Sequence, residues 1–332
     1  MSIDLKTASV EPIRRTFDHI EAKLGPDKNP TRYQEATWGL QPFENQHYRP
    51  TWEPTGLLYD PRRTAIVMED FDDLVDPRQY YYGTWTIQRG KQQDSQEKNF
   101  DFVEKRNLLQ AIAPEWQKKI RELVIPMRHV AWAGNTNNNY IAAYGFGAPI
   151  TSGCTMHMMD LLGVAQYISR IGLVLAENEP AVLDQARQEW VDAPLWQPLR
   201  ALVEDSMVTR DWFELFVVQN LIIDGTVYPL VFDRFDSEIG AHGGAGFSML
   251  CEFIGEWSAE SRRWVDAVIK RAIQESDDNR QQIAGWLANW TPRVQGAVQP
   301  LAEYVFNGDA ATCVDSLFDD VHTRATKCGV AE

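Results

Sequence analysis

WFELFVVQNLII, residues 212 to 223, is apolar on almost every side, with only Glu214, Gln219 and Asn220 interrupting it. A surface helix shows one apolar stripe, whereas a helix apolar nearly all round has to be enclosed by other elements. The stretch therefore reads as the centre of a helical bundle. Its pattern runs from about Ala201 to Phe235, with breaks expected near Asp224-Gly225 and at Pro229. Flanking segments supply covering helices. Pro114 starts one in which Trp116, Ile120, Leu123, Val124, Met127 and Ala131 share a face. Another spans about Met156 to Leu175, and after the loop GAHGGAG (240–246) the residues Phe253, Trp257, Trp264, Val265 and Val268 form one stripe. Ile283, Trp286, Leu287 and Trp290 mark the last helices. Strand-like alternation is nearly absent, so the chain reads as all-α.

The first 80 residues differ. Prolines at positions 26, 30, 42, 50, 54, 61 and 77 interrupt every long helix, because each fixes φ and removes a donor. Yet the segment is rich in aromatic residues and has no periodic face of its own. The organisation expected is an extended arm over 1–80, not an independent domain, followed by one helical domain over 81–332. The arm is expected to pack on a partner through Tyr33, Trp38, His47, Tyr48, Trp52, Tyr80 and Tyr81, since such side chains cover large areas while keeping a polar atom to satisfy.

Composition narrows the function. The net charge of −15, without any Lys/Arg-rich run, argues against a nucleic-acid partner. Cys154, Cys251, Cys313 and Cys328 are scattered and form no C-x-x-C, which suits free thiols in a reducing cytosol. No apolar leader and no membrane span are apparent, and a cytoplasmic location is expected.

Buried carboxylates on long central helices raise the question of a di-iron site, which needs a Glu from each of two helices and Glu-x-x-His from two others. The i, i+3 spacing matters because it puts carboxylate and imidazole on one face. The literal match, Glu44 to His47, lies between Pro42 and Pro50, too short a window for the helix required. Two helical frames are incomplete. PMRH (126–129) has His129 but Pro126 in the glutamate's place, and ESRR (260–263) has Glu260 but Arg263 in the histidine's place. Proline cannot ligate, and a guanidinium only donates. An arginine there would neutralise carboxylates, as the metal would. Glu260 with Arg263 is expected to be an i, i+3 ion pair, and His129 a hydrogen-bonded core histidine. Asp319 to His322 has no matching frame. There is no G-x-S-x-G elbow and no phosphate loop. NTNNN (135–139) reads as a turn or a polar stretch inside the bundle.

These frames, with HYRPTWEP (47–54), DPRQYYYG (76–83), QYISRIGLVL (166–175) and RDWFEL (210–215), resemble one family over essentially the whole chain. The chain resembles the β subunit of bacterial multicomponent monooxygenase hydroxylases, the L-type subunit of phenol hydroxylases in particular. The resemblance implies a ferritin-like (ribonucleotide-reductase-like) bundle in a dimer of αβγ units. It implies no catalytic, cofactor-binding or metal-binding residues in this chain. The non-haem di-iron centre would lie in α, and FAD, 2Fe-2S and NAD(P)H on a reductase. The partners implied are α, γ, a second αβγ protomer, a small regulatory protein and the reductase. Two alternatives stay open: a di-iron oxygenase with unorthodox ligands (Glu104, Glu214, Glu260, His129, His157), and a helical adaptor or regulatory protein.

Overall fold

The computed structural model describes residues 18–26, 28–41, 49, 51 and 53–330. No β-strand occurs among them. Two short helices, α1 (Asp18–Leu24) and α2 (Arg32–Thr37), come first, and over residues 53–81 the chain is irregular apart from single turns at Pro61–Arg63 and Phe71–Asp73. Then come α3 (Tyr82–Lys105), α4 (Pro114–Lys119), α5 (Met127–Tyr144), α6 (Ala148–Leu175), α7 (Ala181–Asp192) and α8 (Gln197–Ser206). The second half holds α9 (Trp212–Gly240), α10 (Ala245–Glu275), α11 (Asp277–Phe306) and α12 (Ala310–Cys328).

The apolar stretch does sit at the centre. Its most apolar window is wholly buried, enclosed by α5, α10, α11 and α12. The single helix expected from Ala201 to Phe235 is two, however. Asp211 ends the first pattern because its carboxylate caps the next helix, accepting from the Phe213 and Glu214 amides at 2.9 and 3.0 Å. The breaks expected at Asp224-Gly225 and Pro229 are changes of pitch instead. Wide π-turns over Val217–Ile223 and Leu230–Phe235 flank Asp224–Pro229, so the axis continues to Gly240. Such turns absorb the donor that Pro229 lacks, and they turn side chains to new directions.

The run from 60 to 80 is not held out for a partner, which corrects the arm reading for that stretch. Ile66, Met68, Phe71 and Leu74 belong to the main core. The backbone of Val67 is clamped by Asn279, which donates to its carbonyl (2.8 Å) and accepts from its amide (3.0 Å). The Glu69 amide donates to Glu275, and Asp73 pairs with Arg271 at 2.7 Å. Extended chain satisfies its amides on α10 and α11 because it has no neighbouring strand.

Helix packing in the centre includes a close approach at a glycine. Gly153 of α6 faces the Trp264 indole of α10, whose nearest ring atoms lie 2.8–2.9 Å from where a Cβ would stand. Trp264 is fully buried there, edge-on to Phe216 of α9. The four cysteines are free, with Cys154, Cys251 and Cys328 buried.

Candidate functional site

Where α3, α6, α9 and α10 converge, the chain gathers charge in its interior. Arg89 of α3 grips Asp160 of α6 with two hydrogen bonds, Nε to Oδ1 at 2.7 Å and Nη2 to Oδ2 at 2.8 Å. Its Nη1 also reaches Glu260 of α10 at 3.2 Å. On the other side of Glu260 lies Arg78, 3.8 Å away and paired with Asp76 at 2.9 Å. Both guanidiniums lie over the Tyr80 ring, and Arg78 also over Trp264. Asp160 accepts from two further donors, the indoles of Trp85 (2.9 Å) and Trp257 (3.2 Å).

Two guanidiniums thus lie among three carboxylates, so each carboxylate has a cationic partner while the cluster keeps one negative charge in excess. Burial alone would favour losing a charge. Arg89 nevertheless has its pKa raised, because burial is outweighed by Asp160 and Glu260. Arg78 is likewise raised, burial being outweighed chiefly by Asp76. Tyr80 is pushed up by burial, and its hydroxyl faces Glu260.

A second network runs inward from the same helices. His157, one turn before Asp160 on α6, lies 3.2 Å from Asp224 through Nε2 and stacks on Trp257. The other Asp224 oxygen accepts from Gln219 at 2.8 Å, and Gln219 accepts from Asn137, which also donates to Ser206. Beside this chain, Asn138 and Asn220 exchange amide hydrogen bonds at 2.9 and 3.0 Å. NTNNN is therefore a polar stretch inside the bundle. The π-turn at Val217–Ile223 turns both Gln219 and Asn220 toward it.

Several sequence expectations are corrected here. Glu260 does not pair with Arg263: it turns inward to Arg89 and Arg78, while Arg263 is exposed and has no ion pair among the described residues. The arginines beside Glu260 are Arg89 of α3 and Arg78, which come from other elements. PMRH takes no part in this cluster. Pro126 is buried at the α5 entrance, and His129 stacks on Trp190 of α7 at 5.8 Å, away from Glu260's partners. Its Nε2 has no hydrogen-bond partner, and burial, then Arg128 and Arg187, push its pKa down to about 4. Glu44 and His47 lie outside the described residues. The α6 residue pair facing Glu260's helix is His157 and Asp160, an H-x-x-D in reversed order. Its signal in the sequence was a lone carboxylate in an apolar helix.

The five residues of the unorthodox-ligand alternative do not meet. Glu104 faces Arg170 at 3.6 Å, Glu214 accepts from Trp290 at 2.8 Å, and the other three have the partners given above. No group of three or more His, Cys, Asp or Glu suited to a metal occurs among the described residues. With guanidiniums placed between its carboxylates, the centre does not fit an iron pair.

The aromatic residues expected to face a partner divide. Tyr33 is 4% exposed, and its hydroxyl accepts from the Asp76 amide at 2.7 Å. Tyr80 is 7% exposed within the charged cluster. These two rings are covered by this chain itself, because both complete the setting of Asp76 and Arg78. Trp38 and Tyr81 are partly exposed. His47, Tyr48 and Trp52 lie outside the described residues.

Residues 52–276 match the family model described as Methane/Phenol/Alkene Hydroxylase. The chain is 44% identical over 330 residues to the phenol 2-monooxygenase oxygenase component DmpL of Pseudomonas sp. (strain CF600), covering 99% of this chain and 98% of that one. It is 24% identical over 294 residues to the hydroxylase component subunit beta of the toluene-4-monooxygenase system of Ectopseudomonas mendocina, covering 86% and 88%. A crystal structure of xenon-pressurised phenol hydroxylase from Pseudomonas sp. OX1 superposes with a TM-score of 0.91 at 42% identity, covering 98% of both chains. The helical bundle is thus ferritin-like.

Proposed function

Since this chain belongs to the methane/phenol/alkene hydroxylase family, we propose that it is the non-catalytic β subunit of a phenol-type monooxygenase hydroxylase. Its relatives are oxygenase components of multicomponent phenol and toluene monooxygenases. In this reading a larger α subunit carries the iron and the aromatic-ring chemistry, and an NAD(P)H-dependent reductase supplies electrons. This chain braces α within an (αβγ)2 complex in the cytoplasm.

The observation that carries the proposal is the arginine-filled centre. Arg89 and Arg78 pair with Asp160, Glu260 and Asp76, taking up the space between these carboxylates. Such a core is rigid at rest, which suits a scaffold better than a site that must change charge during turnover. A second observation supports a large partner. α6 is apolar enough to cross a membrane, yet only 44% of its most apolar window is buried in this chain. Leu162 on it is 42% exposed, and Trp132 on the adjoining α5 is 55% exposed. Exposed apolar surface of this kind marks a contact, and an obligate one buries more than about 2,000 Å² in total.

The test is reconstitution. The chain supplied with a reductase and NADH should give no phenol turnover, whereas the chain co-expressed with a large hydroxylase subunit should restore it. Turnover by this chain and the reductase alone would overturn the reading.

A further inference from the structure

Between α3, α6 and α10 the fold leaves a cavity of about 340 Å³, within the size range of small-ligand pockets. Its walls are aromatic: Trp85, Tyr167, Phe253 and Trp257. Their polar atoms are already engaged. Both indole N–H groups donate to Asp160, and the Tyr167 hydroxyl donates to Gln93 at 2.6 Å. Arg89, at the floor, spends its donors on Asp160, Gln92 and Glu260. The cavity therefore presents ring faces and edges that are held firmly from behind.

Two glycines in mid-helix keep it open. Gly90 on α3 and Gly163 on α6 line the cavity from opposite walls, and a Cβ at either would meet nothing within 4 Å. Glycine is a poor helix former. At Gly153 the cost is offset by the close approach of Trp264, but no side chain of this protein uses the space at Gly90 or Gly163.

We propose that this cavity binds a small, neutral, apolar aromatic molecule through ring contacts. Aromatic walls favour a flat guest in edge-to-face or offset contact. A charged guest would lose its hydration, and the charged groups at the floor, Arg89 and Asp160, are already paired with each other. The site is built from this chain's own residues, and the Asp160–Arg89 pair closes its floor.

The experiment is a ¹⁹F NMR titration of the full chain with 4-fluorotoluene, and with 4-fluorobenzoate for comparison. Saturable single-site binding of fluorotoluene, with none of benzoate, is expected. Gly90→Leu and Gly163→Leu fill the space from opposite walls. Each should weaken binding about tenfold or more while the helical circular dichroism and melting temperature stay at or above those of the parent. Absence of saturable binding, equal binding of benzoate, or unchanged affinity in both variants would overturn the proposal. So would a parent chain that binds no fluorotoluene while both leucine variants fail to co-purify with the large subunit, because the cavity would then be a socket for a partner's side chain.

Discussion

Replacing Arg89 with leucine removes the cation from the charged centre while keeping a buried apolar stem. Asp160, whose side chain is 3% exposed, then keeps only two neutral donors, the Trp85 and Trp257 indoles. Glu260 keeps the more distant Arg78 at 3.8 Å. Breaking a buried pair from one side costs about 3–5 kcal/mol, because the remaining charge is uncompensated. Unfolding entropy of about 2.1 cal/mol/K per residue, over 332 residues, converts that to a fall of about 4–7 °C in melting temperature. The assay is thermal unfolding of the full chain followed by circular dichroism, with two companions. Arg263→Ala, on the exposed side of the same α10 turn, should change stability by less than about 0.5 kcal/mol. Adding Asp160→Asn to Arg89→Leu should recover a large part of the loss, since the stranded charge is gone. An Arg89→Leu variant that melts within about 1 °C of the parent, or a double variant no better than the single, would refute the reasoning.

Other outcomes follow from the packing and the networks. Gly153→Ala should cost about 1–3 kcal/mol by overpacking against Trp264, whereas Gly163→Ala should cost nothing; equal melting curves for the two would contradict the close approach. Asn138→Leu strands the Asn220 amide and should cost about 1–3 kcal/mol, and Asn220→Leu added to it should cost less than the sum of the singles, as a double-mutant cycle would show. His129, held down to about 4 in the folded chain against an ordinary 6.5, binds its proton more readily when unfolded. Its contribution is therefore present above pH 6.5 and lost as the pH falls from 6.5 to 4. His129→Phe should flatten that part of the stability profile, and an unchanged acid slope would refute the assignment.

The parts of the fold legible in the sequence are those set by local pattern. Residues 212–223 announced their central place because a helix with no polar face has one kind of environment, and the Asn run fitted the interior once a polar partner was available on α9. Pitch changes were not legible, since a π-turn and a helix end look alike around Pro229. Long-range pairing was the greatest loss. Helical spacing offers Arg263 to Glu260, but the actual partner is 171 positions away on α3. The clamp of Asn279 on Val67 spans 212 positions, so the stretch from 60 to 80 looked free for a partner while its backbone was already committed. The site idea survived in its chemistry, an arginine among carboxylates, and failed in its address.

The central claim is that guanidinium, not iron, sits among this chain's interior carboxylates. Metal analysis of the purified full chain, expressed with ample iron, tests it most directly, together with melting before and after a strong chelator. The account predicts iron well below one atom per chain and a melting temperature indifferent to chelation. Stoichiometric iron with an oxo-bridge absorption band, lost together with stability on chelation, would contradict it.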